Sequence, residues 1–435
     1  MGRILYLFAA ILIFTQCKKE PVVVEGEVSR ILKTLSSDDM KGRKVYTDGI
    51  EKAAAFIDSE LRKTGISPLP GEDDMMQSFT ILEHRPGSSQ VIFNGKTLSE
   101  DQFFSLSKAD SIYWSDRDDY TVYDLKREKR RSQIDSLLND DHNSLIVIDE
   151  SQKEWFARAK RYYTNRSSRY RTFYSMDRNN GGSDLFILSS EPVRTITADI
   201  RYDIKEHKLS NVGGMIEGKK KDEIVIFSAH YDHIGILSPV AGDSIGNGAN
   251  DNASGVTAVI QLANHFAGRS KPERTLYFLT FTAEEAGGWG SRFFAENIDT
   301  DQVVAMFNIE MIGKPAVEGP NTAWITGFEL TDFGKILQES TVANNYRFYP
   351  DPYPNQNLFM RSDNFRLAQK GVPAHTISTT PIDVDQDYHE VSDEFESINI
   401  KHMTNTIRAI ANAAQSIVSG DKTPQRIDPN SLVRR

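Results

Sequence analysis

From about Val212 onward the chain alternates compact apolar runs with amphipathic segments. Glu223 to Ala229, Thr275 to Phe281, Val303 to Ile309 and Ala374 to Ser378 read as strands. Val256, Val259, Ile260, Leu262 and Ala263 give the segment after Gly255 the spacing of a helix. Strands alternating with helices predict an α/β fold, a mixed and largely parallel central sheet flanked by helices. Upstream, Asp48 to Thr64 predicts an amphipathic helix with Ala53, Phe56, Ile57 and Leu61 on one face. Asp48 and Glu51 have capping-box spacing, and Gly65 is the stop. Between them, short apolar runs (Val91 to Phe93, Ser144 to Ile148, Leu185 to Leu188) sit among charged, Tyr-rich stretches, which predicts an inserted, smaller strand-bearing subdomain. The expected division is 1–17 a signal, 18–89 an N-terminal helical part, 90–200 the insertion, 201–420 the main domain and 421–435 a polar, loosely ordered tail.

The first residues follow another logic. Met1-Gly2-Arg3 is a positive end, and Ile4 to Phe14 is apolar but too short to span a bilayer, as in a secretory signal. The single cysteine, Cys17, follows at once and precedes Lys18-Lys19-Glu20, so the segment resembles a bacterial lipoprotein signal with Cys17 as the lipidated residue. An exported, membrane-anchored protein of the cell envelope is expected. Phe14 and Gln16 depart from the usual residues before the lipidated cysteine. One cysteine allows no internal disulfide, so core packing or metal must hold the fold. A net charge of -10 argues against a nucleic-acid partner, and 39% apolar residues against a largely disordered chain. The basic stretches Lys126 to Arg131 and Arg158 to Arg171 are read as solvated faces.

The chemistry gathers where the strands end. Glu223 to Ala229 runs into His230-Tyr231-Asp232-His233, Thr275 to Phe281 into Thr282-Ala283-Glu284-Glu285, and Val303 to Ile309 into Glu310-Met311-Ile312-Gly313. The carboxyl edge of such a sheet is where sites are built. Gly248 to Gly255 places Asp251 at a helix start, and Asp387-Tyr388-His389 adds a second imidazole. Imidazoles and carboxylates without thiolate suit catalytic zinc, with manganese or cobalt compatible. Glu284 and Glu285, neighbours at a strand end, point different ways, so one can ligate while Glu284 acts as general base on a water. Asp232 is the expected partner of the His230 imidazole. Taken singly, a histidine or a Glu-Glu pair is usually a surface or capping feature; five together in this order leave little room for coincidence.

These motifs resemble peptidase family M28, the co-catalytic zinc aminopeptidases and related carboxypeptidases, over about Ile31 to Ile81 and Asn211 to Ala414. The resemblance implies a zinc-exopeptidase fold and two zinc ions. Asp251 would bridge them, with His230 and Glu310 at one ion and Glu285 and His389 at the other. It also implies peptide substrates and a cis bond between Asp251 and Asn252. Glu310 stands where the family usually has Asp, and Asn250 replaces a frequent Asp. His233 and His375 match no ligand position and are expected to be structural, while Asp363 either orients a ligand or caps a helix. Three rivals to an aminopeptidase stay open: a single-zinc glutaminyl cyclase, a carboxypeptidase anchored by Arg292, Arg347, Arg361 or Arg366, and a non-enzymatic binding protein on the same fold.

Overall fold

The computed structural model describes residues 23–115, 120–124, 134, 142–164, 172–341 and 345–432. Helices α1 (Glu25–Leu35) and α2 (Asp48–Thr64) lead into a long strand β1 (Met76–Phe93). Then come β2 (Phe103–Leu106), β3 (Thr121–Asp124), β4 (Ser144–Ile148), α3 (Lys153–Thr164), β5 (Asp184–Leu188) and the long return strand β6 (Ile196–Ile216). The remainder is β7 (Lys220–His230), α4 (Ser254–Ala267), β8 (Arg274–Phe281), α5 (Trp289–Asn297), β9 (Val303–Ile309), β10 (Thr322–Ile325), α6 (Phe333–Thr341), β11 (Arg347–Pro350), β12 (Ala374–Ser378) and α7 (Ile400–Val418).

The main sheet runs β11-β10-β12-β9-β7-β8-β6-β1. Its centre is parallel, β7 pairing with β8 and β9, and β9 with β12; β6 joins β8 and β1 antiparallel. Parallel strands covered on both faces must be apolar throughout, and every residue of β8 is buried. Alternation divides them. Val225, Phe227, Leu276, Phe278, Ala305 and Phe307 face the core built on α1, α2, α4 and α7, whereas Ile226, Tyr277, Leu279 and Met306 face α5 and the C-terminal segment. Because β7, β8, β9 and β12 run in one direction, the residues that follow their carboxyl ends emerge at one edge.

Helix α2 buries Ala53, Ile57 and Leu61 and stops at Gly65, whose φ of 79° is left-handed and whose N–H donates to Arg62 O at 3.1 Å. Its start differs from the capping-box expectation. Thr47 is the cap position with no side-chain hydrogen bond, and Asp48 instead pairs with Lys41 at 2.7 Å, because the preceding turn brings that ammonium alongside.

The expected insertion boundaries at 90 and 200 fall inside continuous strands. β1 and β6 pair from Met76 to Phe93, so one antiparallel ribbon belongs to the main sheet at one end and to the smaller unit at the other. That unit holds a second sheet ordered β2-β5-β4-β3. Phe103, Leu145, Leu185 and Ile187 pack on Val91, Phe93, Ile196 and Ala198 of the ribbon, which is why the apolar run Val91 to Phe93 reads as local to the insertion. In α3, Phe156, Ala159 and Tyr163 enter the core while Tyr162 is exposed, so its basic residues decorate a packed helix. Lys126 to Arg131 lies outside the described residues, as do Ile4 to Phe14 and Cys17. Among the described residues no helix is long and apolar enough to cross a membrane.

The polar tail is held rather than loose. Ile427 and Leu432 are buried, Arg426 donates to Thr300 O and Val303 O, and Arg274 donates to Lys422 O and Thr423 Oγ1. Two buried apolar side chains and two arginines that satisfy carbonyls outweigh a polar composition.

Phe227 lies with its ring 5.5 Å from those of Phe266 and Phe278 and 5.0 Å from Phe307. Phe227→Ala is expected to cost about 3–5 kcal/mol in denaturant unfolding. A loss within the ~0.5 kcal/mol typical of surface sites would contradict this packing.

Candidate metal centre

At the carboxyl edge β7 ends on His230, and the Tyr231 N–H prolongs the pairing by donating to Phe281 O at 2.9 Å. β9 ends one residue before Glu310, whose N–H donates to Ile377 O at 3.1 Å. Asp251 comes from the turn before α4, and its bond to Asn252 is cis. His230 Nε2 stands 3.3 Å from Asp251 Oδ1 and 3.4 Å from Glu310 Oε1. His389 Nε2 stands 3.3 Å from Asp251 Oδ2 and 3.0 Å from Glu285 Oε1. The five predicted ligand-type side chains therefore gather, with the two Asp251 oxygens facing different clusters.

A cation fits this set. Two donors each about 2.1 Å from a tetrahedral zinc stand roughly 3.4 Å apart, close to the separations within each cluster. His230 Nε2 is buried without a hydrogen-bond partner, an arrangement that costs free energy unless something else uses the lone pair. The electrostatics are those of tight pairing. Burial pushes Asp251 up, but the imidazoles of His230 and His389 beside it prevail and hold it well below the usual carboxylate range. Hydrogen bonding to Asp251 and Glu285 raises His389 to about 10.

The bridging turn is fixed by residues that carry no sequence signal of chemistry. Asp393 accepts from the N–H groups of Asn250 at 2.8 Å and Asp251 at 2.9 Å. Asn252 Oδ1 accepts from Gly255 N and Met311 N, and its amide donates to Ile309 O, tying the turn to the strand that delivers Glu310. Asn250 accepts from Gly313 N at 2.9 Å and donates to Thr380 Oγ1 at 2.8 Å. Since the Thr380 hydroxyl gives its own proton to Met311 O, a carboxylate at position 250 would face a lone pair, which accounts for the amide. Arg43 is fully buried and donates to Leu35 O, Tyr231 O, Asn247 O and Gly248 O at 2.6–2.9 Å. Burial pushes its guanidinium down to about 10, against the pull of Asp251, Asp393 and Asp232, so it remains a cation beneath the acidic cluster.

Asp232 acts differently from expectation. His230 Nδ1 lies 3.2 Å from its main-chain carbonyl, whereas its carboxylate, 3.9 Å from that nitrogen, accepts from the Glu284 and Glu285 N–H groups at 3.0 and 3.2 Å. It thereby aims the Glu-Glu turn, which Ala283 enters with φ of 58°. Burial raises Glu284 well above the usual range, His230 opposing, while Glu285 is lowered because the imidazoles of His233 and His389 beside it outweigh its burial. Adjacent carboxyls are thus pushed apart. Asp363 caps nothing: it is buried, its oxygens lack hydrogen-bond partners, and burial raises it to about 6, opposed chiefly by His230. His375 is structural, bonded to Thr326 O and Thr331 Oγ1. The loop bearing His389 is pinned by Lys314, paired with Asp385 and with Asp387.

A cavity opens on the clusters, lined by Asp251, Glu284, Glu285 and Glu310 and walled by Trp324, Leu358, Ile382 and Tyr388. Of the four candidate anchoring arginines, Arg361 alone lines it. Arg292 pairs with Glu296, and Arg366 donates to Gly287 O.

The model of "Peptidase family M28" matches residues 211–414. Residues 211–414, the part of the chain that holds both clusters, are thus similar to peptidase family M28. The chain is similar to a "Probable zinc metalloprotease" of Pyricularia oryzae, 35% identical over 28% of this chain and 24% of that protein. "Leucine aminopeptidase 1" of Trichophyton rubrum is 27% identical over 47% of this chain and 56% of that one. The chain thus spans between about a quarter and just over half of these relatives' lengths. Among solved structures, the aminopeptidase from Aneurinibacillus sp. strain AM-1 superposes with a TM-score of 0.55 at 17% identity, covering 92% of this chain and 95% of that one, a likeness of fold.

Arg43→Met would take the guanidinium from four buried carbonyls beneath the bridging turn, of which Gly248 O keeps the Ala253 N–H, and each group left unsatisfied costs about 1–3 kcal/mol. The variant is expected to lose at least about 3 kcal/mol of stability together with zinc affinity. Normal unfolding and normal zinc binding would remove Arg43 from this account.

Proposed function

We propose that this chain is a zinc-dependent aminopeptidase that removes N-terminal residues from peptides, exported to the cell envelope and held there through Cys17. The observation that carries the enzymatic reading is the sharing of Asp251 by two His-carboxylate clusters facing one cavity. His230 with Glu310, and His389 with Glu285, would hold two zinc ions. When bound, such ions activate a water and polarise the scissile carbonyl. Glu284 is the residue that moves the proton. Its carboxylate lines the cavity, forms no hydrogen bond to a described residue and is raised by burial well above the usual carboxylate range, which strengthens it as a base. It takes a proton from the attacking water and returns it to the departing amine. Asp232 keeps Glu284 directed inward through the two N–H bonds of the Glu-Glu turn. Aminopeptidase chemistry, rather than another M28-type reaction, is favoured by the similarity to relatives such as "Leucine aminopeptidase 1".

One observation favours a second reading. The Arg361 guanidinium lines the cavity and has no ionic partner among the described residues, so a substrate carboxylate could anchor there, as in a carboxypeptidase or dipeptidase.

Elemental analysis beside turnover of amino-acyl anilides, N-blocked dipeptides and N-terminal glutaminyl peptides separates these readings. Near two zinc per chain with release only from free N-termini is the expected result. Cleavage of blocked dipeptides moves the assignment to a carboxypeptidase, and cyclisation with one zinc to a glutaminyl cyclase. Glu284→Gln should keep its zinc and lose at least about 100-fold in turnover; retained turnover removes Glu284 from the mechanism. Cys17→Ser should shift the protein from the membrane fraction to the soluble one, and unchanged fractionation would count against the anchor.

A further inference from the structure

The cavity over the two clusters is charged unevenly. Asp251, Glu284, Glu285 and Glu310 line it, and Arg361 is the only basic residue among the described residues that do. Arg361 nevertheless forms an ion pair with none of them, so its charge is left facing the space they share. The segment that carries it is tied to the site. The next residue, Ser362, is buried and takes a hydrogen bond at 2.8 Å from the amide of Asn308, on the strand that ends one residue before Glu310. The Tyr388 hydroxyl, beside His389, lies within electrostatic reach of the guanidinium.

Two hydroxyls in the same lining have a proton to give. Ser362 Oγ accepts from Asn308 and Thr326 Oγ1 accepts from the Thr376 N–H at 3.1 Å, and neither hydroxyl has an acceptor among the described residues. The other three are spent: Ser378 and Thr380 donate to Met311 O, and Thr376 donates to Asn364 Oδ1. Away from the metal ligands the cavity therefore offers a guest a guanidinium and two hydroxyl protons, the donor set that recognises a carboxylate. Trp324, Leu358 and Ile382 supply apolar wall, and the indole is held in place by its N–H bond to Thr380 O at 3.3 Å. Such walls suit the methylene groups of a side chain that ends in that carboxylate.

We propose that Arg361 selects peptides whose N-terminal residue is acidic, glutamate or aspartate, by pairing with the side-chain carboxylate. This rests on the two-zinc aminopeptidase reading of the site. Two zinc ions offset the four lining carboxylates, so the guanidinium leaves the loaded cavity with an excess of positive charge, which favours an anionic guest. Because Arg361 lines the same cavity as Glu284, the carboxylate it holds belongs to a residue at the bond under attack. The free ammonium then faces the acidic end, and the side chain reaches toward Arg361. A C-terminal anchor differs in that it would need a free C-terminus and would be indifferent to the first side chain.

Glutamyl, glutaminyl and leucyl anilides, none of which has a C-terminal carboxylate, test this on the zinc-loaded full chain. The glutamyl compound should exceed the isosteric glutaminyl one at least about 10-fold in kcat/KM, the scale of a hydrogen bond to a charged group. Arg361→Gln should bring that ratio to near one, and Arg361→Glu should turn the preference toward a lysyl anilide. Calorimetry on zinc-loaded Glu284→Gln should show the same split in Kd between amidated Glu-Ala and Gln-Ala, and Arg361→Gln in that background should remove it. A glutamyl-to-glutaminyl ratio that survives Arg361→Gln overturns the proposal while the aminopeptidase reading stands. Cleavage of N-blocked dipeptides with no anilide cleaved overturns both. Arg361 is exposed, so its variants should melt close to wild type; should they fail to fold, a wild-type ratio near one overturns the proposal without any change at position 361.

Discussion

Asp251 carries one oxygen to each cluster, so the position of a single carboxylate sets the spacing of the whole site. A carboxylate on a loose loop would repel Glu285 and Glu310 and drift toward solvent. Here the turn is clamped from beneath by the buried Arg43 guanidinium, from the C-terminal side by Asp393, and from the sheet by Asn252. Arg43 also places a full positive charge under three carboxylates, which lowers the cost of assembling them before any cation arrives. This couples the N-terminal segment to the chemistry: α1 and α2 do more than cover one face of the sheet, because the turn between them supplies the guanidinium.

The same logic explains why the sheet is parallel where it matters. Three adjacent strands ending at one edge can each deliver a side chain, and the apolar, doubly covered centre keeps those ends in register. Strand ends alone do not aim side chains. The Glu-Glu turn is directed by Asp232, the bridging turn by Asp393 and the His389 loop by Lys314, so each ligand-bearing segment has its own polar anchor. Two of these anchors are carboxylates that accept backbone N–H groups, which adds negative charge near the site without competing for its cations.

Which parts of this were legible in the sequence follows from the range of the interactions. The strands β7, β8, β9 and β12 announce themselves by local apolar runs, and the residues following them by proximity along the chain. Ion-type side chains at strand ends are a strong signal because burial there must be compensated. Arg43 and Asp393 gave no such signal: they act across separations that only the folded chain closes, and an isolated Arg or Asp in a polar stretch looks like surface. The insertion boundaries misled for a related reason, since an antiparallel ribbon that passes between two units has no break in its pattern to mark the border.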